Sequence, residues 1–334
     1  MNIATGRGLP REYPPEPGSP AQARSNLVMM GRQDFTSVLL RLIGMELYKL
    51  RRRIMSKVLS SISILAILLV FVVILLLLLV TLRNTTALEG PQVTAAADPL
   101  LPPLSLYIAV QVIRNLGPIL IIILVGTIVG GEYGTGTIRL MFTRGPSRTQ
   151  FFLSKISAAI ICIALGVLVM VSVGMLAGLL LNIFTGVTPN FAFFSAAWLG
   201  HAALYLLAAM LNLFMYAMMA LFLSTLGRAT AAGVAGALAW SFFEPVVGGI
   251  LVVIGRFARN PFGNFLSTLP DYSISSNIGA LLDNQNQYLF FGSSSDGSSP
   301  VILPDWHALL VLGVYLLLFI GLAWWVNERR DITN

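Results

Sequence analysis

Residues 58–82 read VLSSISILAILLVFVVILLLLLVTL, and this run decides the fold class. It carries no charge over its whole length. At 1.5 Å per residue a helix of that length crosses the ~30 Å hydrocarbon core of a bilayer. In lipid every backbone N–H and C=O must find a partner inside its own segment, which a helix provides and irregular chain does not. Five more apolar blocks follow, at 104–129, 156–181, 196–223, 229–254 and 306–326. The expected fold is therefore all-α, a polytopic membrane protein with six transmembrane helices. The composition agrees, with 56% hydrophobic and only 10% charged residues where an average soluble domain has about 25% charged.

An even number of spans puts both termini on one side, and the basic residues choose it. Seventeen of the 21 lysines and arginines fall before the first span, between spans two and three, at Arg228, or at Arg329 and Arg330. Arg83, Arg256 and Arg259 fall on the other side, and Arg114 lies within a span. The positive-inside rule places both termini in the cytoplasm of a multi-pass cell-membrane protein. Trp306, Trp324 and Trp325 stand at the ends of the last span, where aromatic belts are expected.

Three regions follow from this layout. Residues 1–31, with Pro10, Pro14, Pro15, Pro17 and Pro20, read as a disordered tail without the apolar core of a cleavable signal peptide. Residues 32–57 read as an N-terminal cytoplasmic amphipathic helix, with Phe35, Val38, Leu39, Leu42 and Ile43 at helical spacing and Arg51, Arg52, Arg53 and Lys57 at the headgroups. Residues 58–334 form the six-helix domain. Within it, 130–155 is a cytoplasmic segment and 255–304 an outer one. The outer segment reads as two short re-entrant-like helices broken at Pro270, then the flexible run GSSSDGSSP.

Two ionisable residues fall inside predicted spans, Arg114 and Glu244, at matching depths about 24 Å from the cytoplasmic boundary. Such groups are costly unless paired or hydrated. They are expected to pair across spans two and five, to bracket a polar cavity in the outer half of the bundle, or to snorkel separately toward the outer headgroups. Pro118 and Pro245 lie close by as potential kinks. The single cysteine, Cys162, excludes an intrachain disulfide and reads as a packing residue. His201 and His307 carry no hydrolase or metal motif, and packing is the expected role of each.

The segment VGGEYGTGTIRLMFTRGPSRTQF, 129–151, mixes glycines and arginines in a way that invites a phosphate-loop reading. Gly126 and Gly131 have the spacing of such a loop, but Glu132 stands where its lysine belongs, and a carboxylate there repels phosphate. No cofactor, nucleotide or metal is expected in this chain, and no nucleic acid as partner.

The same segment, read on as GGEYGTGTIRLMFTRGPSRTQFFLSKI, resembles the cytoplasmic segment of the permease subunits of ABC type-2 exporters. Those carry a G-x-E-x-x-x-G-T-[IL]-R pattern, a basic small-residue turn, and "KI" or "KL" at the start of span three. The resemblance extends to the order of parts: amphipathic helix, six spans, and a long outer segment before the last. It implies a transport permease that is not itself an enzyme, working with a separate ATP-binding subunit that holds ATP and magnesium. It also implies a second permease copy or paralogue and contact with membrane lipid. Glu132, Tyr133, Gly136, Thr137 and Arg139 match the pattern, and Arg144 and Arg148 lie in the basic turn. The resemblance makes these seven the residues that couple to the ATPase. A membrane scaffold that docks an ATPase without transporting, and an intramembrane enzyme, are the other classes.

Overall fold

The computed structural model describes residues 35–84, 97–134, 147–258, 260–291 and 303–329. Among them there is no strand, and six helices are long and apolar enough to cross a membrane. The tail 1–31, the residues Gly136, Thr137, Arg139 and Arg144, and the run GSSSDGSSP lie outside the described residues.

Helix α1, Phe35–Arg52, is amphipathic, and Arg53 separates it from α2, Ile54–Asn84, the first span. The Arg53 guanidinium donates to the Thr127 carbonyl at 3.4 Å, which ties this junction to the second span. Spans two to five are α3, Leu104–Gly134; α4, Arg148–Asn182; α5, Ala196–Gly227; and α6, Thr230–Ala258. Two short helices follow, α7, Pro261–Thr268, and α8, Ile274–Asn286, with Pro270 in the 3-10 turn between them. The sixth span is α9, Asp305–Arg329.

The bundle centres on α3 and α5, which bury more of themselves than any other span among the described residues. Small residues set the approach of α6. A side chain at Gly130 would collide with the Thr230 backbone, and one at Gly233 with Ser224. Close helix contact through glycine replaces the hydrophobic drive that is missing between helices in lipid. The first span shows how uniform greasiness hides a packed face. Ile67, Phe71, Leu75 and Leu78, at helical spacing, are buried, while Leu65, Leu69, Leu76 and Leu77 face outward. Contact with neighbours selects that stripe, because apolar residues cover the helix all round.

The helix bounds depart from the sequence reading mainly at one end. Span three is expected from residue 156, but α4 starts at Arg148. Ser147 caps it: its hydroxyl accepts from the Gln150 N–H at 3.1 Å, and the Gln150 side chain accepts from the Ser147 N–H at 2.9 Å. This reciprocal box satisfies two donors that a helix start otherwise leaves open. Span two likewise runs on past residue 129 to Gly134. Much of the segment expected between spans is therefore helix, and only 135–146 falls outside the described residues.

Candidate functional site

At the end of the bundle that carries α1, the start of α4 and the end of α9, four charged side chains close a ring. Glu46 and Lys49 come from α1, Glu132 from the last turn of α3, and Lys155 from the second turn of α4. Lys49 Nζ lies 2.9 Å from Glu46 Oε1 and 3.2 Å from Glu132 Oε1. Lys155 Nζ lies 2.5 Å from Glu132 Oε2 and 3.6 Å from Glu46 Oε1. Each carboxylate touches both ammonium groups, so the charges alternate and cancel. Glu46, Glu132 and Lys155 are buried, with side chains 6%, 6% and 7% exposed, and only Lys49 reaches solvent.

Local sequence explains how each group gets there. Leu42 and Glu46 are the buried residues of α1, four apart on one helical face, so the acid occupies the stripe that packs inward. Lys49 follows one turn later on the same side. The Lys155 ammonium also lies 4.6 Å from the centre of the Phe151 ring one turn earlier in α4, a favourable cation–π approach. Burial alone pushes the Lys49 ammonium toward neutrality, but Glu132 and Glu46 beside it outweigh this and hold its pKa above the ordinary lysine value.

The same end is laced to the last span. Arg148 donates to the carbonyls of Asn327 and Glu328 at 3.2 and 2.7 Å, and Thr149 Oγ1 to the Glu328 carboxylate at 2.9 Å. Gln150 reaches the Phe35 carbonyl of α1 at 3.4 Å. The two flanks of segment 135–146, the end of α3 and the start of α4, are thus fastened to α1, and the start of α4 to α9 as well.

Of the residues the sequence put in this region, the structure places Glu132, Tyr133 and Arg148. Glu132 faces Lys49 and Lys155 inside the chain and is 5% exposed. Glu46, Lys49 and Lys155 were missed by sequence reasoning. The signal for Glu46 was an acid in register with Leu39 and Leu42 on an otherwise apolar stripe. For Lys155 it was the "KI" that opens span three.

At the opposite end the structure corrects the expected pairing of Arg114 with Glu244. Arg114 pairs with Asp283 of α8 at 2.9 Å, while Glu244 accepts the backbone N–H of Ile274, the first residue of α8. The correction has a geometric cause. The segment after α6 packs back on the bundle through contacts of α8 with α5, α6 and α9, which brings Asp283 to Arg114. Glu244 gains a helix start, where free N–H groups and the helix dipole favour a carboxylate. His201 stacks on Tyr288 with ring centroids 4.6 Å apart and meets Gln285 at 2.9 Å. Among the described residues no three His, Cys, Asp or Glu side chains meet in a metal-ligating group.

Six long apolar helices, a basic end and a buried, neutral charge ring define the class: a multi-pass α-helical membrane protein. Residues 99–333 match a family described as "Protein of unknown function (DUF2705)". The chain belongs to that family, whose match runs from just before the second span to the end of the sixth. A search of the curated proteins found no match.

Proposed function

We propose that this chain is the membrane-spanning permease subunit of an ATP-driven ABC exporter, with its basic end in the cytoplasm of the cell membrane and its ATP bound by a separate subunit. The buried ring of Glu46, Lys49, Glu132 and Lys155 carries this reading. It locks the amphipathic helix to both flanks of segment 135–146, the segment whose sequence resembles the docking element of such permeases. A short apolar helix seated in a groove of a partner transmits motion only if its own base is stiff. Here that base is an ion ring plus the Arg148 and Thr149 bonds to α9.

A second permease copy belongs to the same reading. Helix α6 buries only 6% of its most apolar window within the chain. Phe242, Phe243, Val246 and Ile250 are left facing outward, a surface that a second copy would cover. The test acts on the segment itself. Arg139→Ala with Arg144→Ala changes one residue of the docking pattern and one of the basic turn after it, and leaves the buried ring intact. Copurification of an ATP-binding-cassette subunit from native membranes should fall sharply in the double variant while the permease stays monodisperse. Undiminished association would overturn the assignment. Retained ATPase association with no substrate movement in reconstituted vesicles would favour the scaffold.

A further inference from the structure

A lateral cavity of about 400 Å³ opens between the first three spans. From the geometry we infer a seat for one acyl chain of an anionic membrane phospholipid, with its phosphate at Arg51. The inference is independent of the export reading, because it concerns the face made by α1, α2, α3 and α4 and needs no partner subunit.

Three observations define the occupant. The first is shape. The α3 wall runs from Leu124 to Val112, about 18 Å along a helix axis, close to the ~15 Å depth of one leaflet's hydrocarbon. Spread over that length, the volume gives a cross-section on the order of a few tens of Å². A helix, with a diameter of 10–12 Å, needs about 80–110 Å². A slot of that width suits a single hydrocarbon chain better than a whole helix.

The second is chemistry along the axis. The deep walls are aliphatic, with Ile64, Leu116, Leu120 and Met170 among them. The end nearest α1 holds the polar groups, Arg51, Ser56 and Ser60, beside Leu47 and Leu50. Ser56 Oγ is buried there with no hydrogen-bond partner among the described residues. Arg52 and Lys57 stand exposed close by in the chain. Arginine pairs with phosphate through two parallel N–H donors, and basic residues at this level favour anionic lipid. A polar, cationic mouth over an aliphatic slot matches the order of headgroup and tail in a phospholipid.

The third is the space itself. Gly166 of α4 lines the cavity, and a side chain built there would meet nothing within 4 Å. Gly117 also lines it, but a side chain there would meet Leu213. Gly166 therefore keeps the slot open without serving helix contact, and a larger residue would fill the place of the chain.

The test compares phosphatidylglycerol with phosphatidylcholine of matched chains, offered together to the detergent-purified full chain and read by native mass spectrometry. The wild type should retain phosphatidylglycerol in preference. Arg51→Gln should lower that preference about fivefold, the effect of one basic group at an anionic leaflet. Gly166→Leu should abolish retention of either lipid. Equal retention of both lipids by the wild type, an unchanged preference in Arg51→Gln, or wild-type retention in Gly166→Leu overturns the inference. If Gly166→Leu does not fold, the wild type suffices. Cys162, the sole cysteine, lines the same cavity. Its alkylation by N-ethylmaleimide should slow with phosphatidylglycerol more than with phosphatidylcholine, and equal rates would sink the proposal.

Discussion

Removing the Glu132 carboxylate should be among the most destabilising single changes at the basic end of the bundle. At an effective dielectric near 20, a unit charge pair attracts by about 7 kcal/mol at the 2.5 Å of Lys155 and about 5 kcal/mol at the 3.2 Å of Lys49. Those gross terms are largely offset by the several kcal/mol that desolvating each ion costs, so they do not add to a net stability. What survives is the asymmetry. Glu132→Leu leaves two ammonium groups, one of them buried, sharing the single carboxylate of Glu46, and the expected cost is about 3–5 kcal/mol. Lys155→Met, which strands the two buried carboxylates on Lys49, should cost a similar amount. Together, Glu132→Leu and Lys155→Met leave the balanced Glu46–Lys49 pair at 2.9 Å. The double variant should be more stable than either single one, with a coupling of at least about 2 kcal/mol. Reversible unfolding in mixed micelles, titrated with dodecyl sulfate and followed by circular dichroism, measures all four proteins. Single variants that lose less than about 1 kcal/mol, or costs that add within about 0.5 kcal/mol, would refute a closed ring.

The outer end should respond differently. Asp283→Asn, which breaks an exposed pair, should change stability by no more than about 1 kcal/mol. Glu244→Ala, which removes the acceptor of the Ile274 N–H while Ser273 still caps α8, should cost about 0.5–1.5 kcal/mol and speed proteolysis within 260–291. The Lys49 pKa is raised on folding, so its stabilisation is complete below the unfolded value of 10.5 and is lost as pH climbs through the higher folded value. An alkaline unfolding series on wild type and Lys49→Met should show that component in the first and not the second. Arg228, at φ 50, ends α5 in the left-handed region. Arg228→Gly should therefore be neutral or raise thermal stability by up to about 1 kcal/mol. With Cys162→Ala as background, Val246→Cys on the outward face of α6 should give a disulfide-linked dimer in native membranes oxidised with copper–phenanthroline; a strictly monomeric band would remove Val246 as a point of contact between copies.

The spans were legible because lipid imposes a length and an apolar composition that few other structures share. The residues from 58 to 82 announce a membrane helix by themselves. Their packed face was not legible, since Phe71 and Leu69 look alike in a uniformly greasy run and only contact with neighbours separates the buried one from the exposed one. Helix ends were partly legible. The run SRTQ at 147–150 is a capping box in plain sequence and marks the start of α4, but an apolar-block reading begins where the grease begins, eight residues later.

Charge shows the limit most sharply. A search for ionisable groups inside spans finds Arg114 and Glu244, because hydropathy exposes a charge only where its neighbours are apolar. The ring escapes such a search: Glu132 and Lys155 sit at span ends, and Glu46 and Lys49 sit on a helix that lies outside the spans. Each of the four reads locally as an ordinary boundary charge. They become expensive only when α1 folds over the α3 and α4 ends and removes water from three of them. The folded chain meets that cost by alternation, two acids against two bases, so burial adds no net charge. This also changes how Glu132 serves the docking reading. Glu132 is buried against two ammonium groups inside the chain, so under the export reading we propose, contact with a partner would rest on the segment beyond it. Glu132 instead ties the end of α3 to α1 and α4 through Lys49 and Lys155. A substitution there should disturb coupling only as far as it disturbs stability, whereas Arg139→Ala with Arg144→Ala should separate the two.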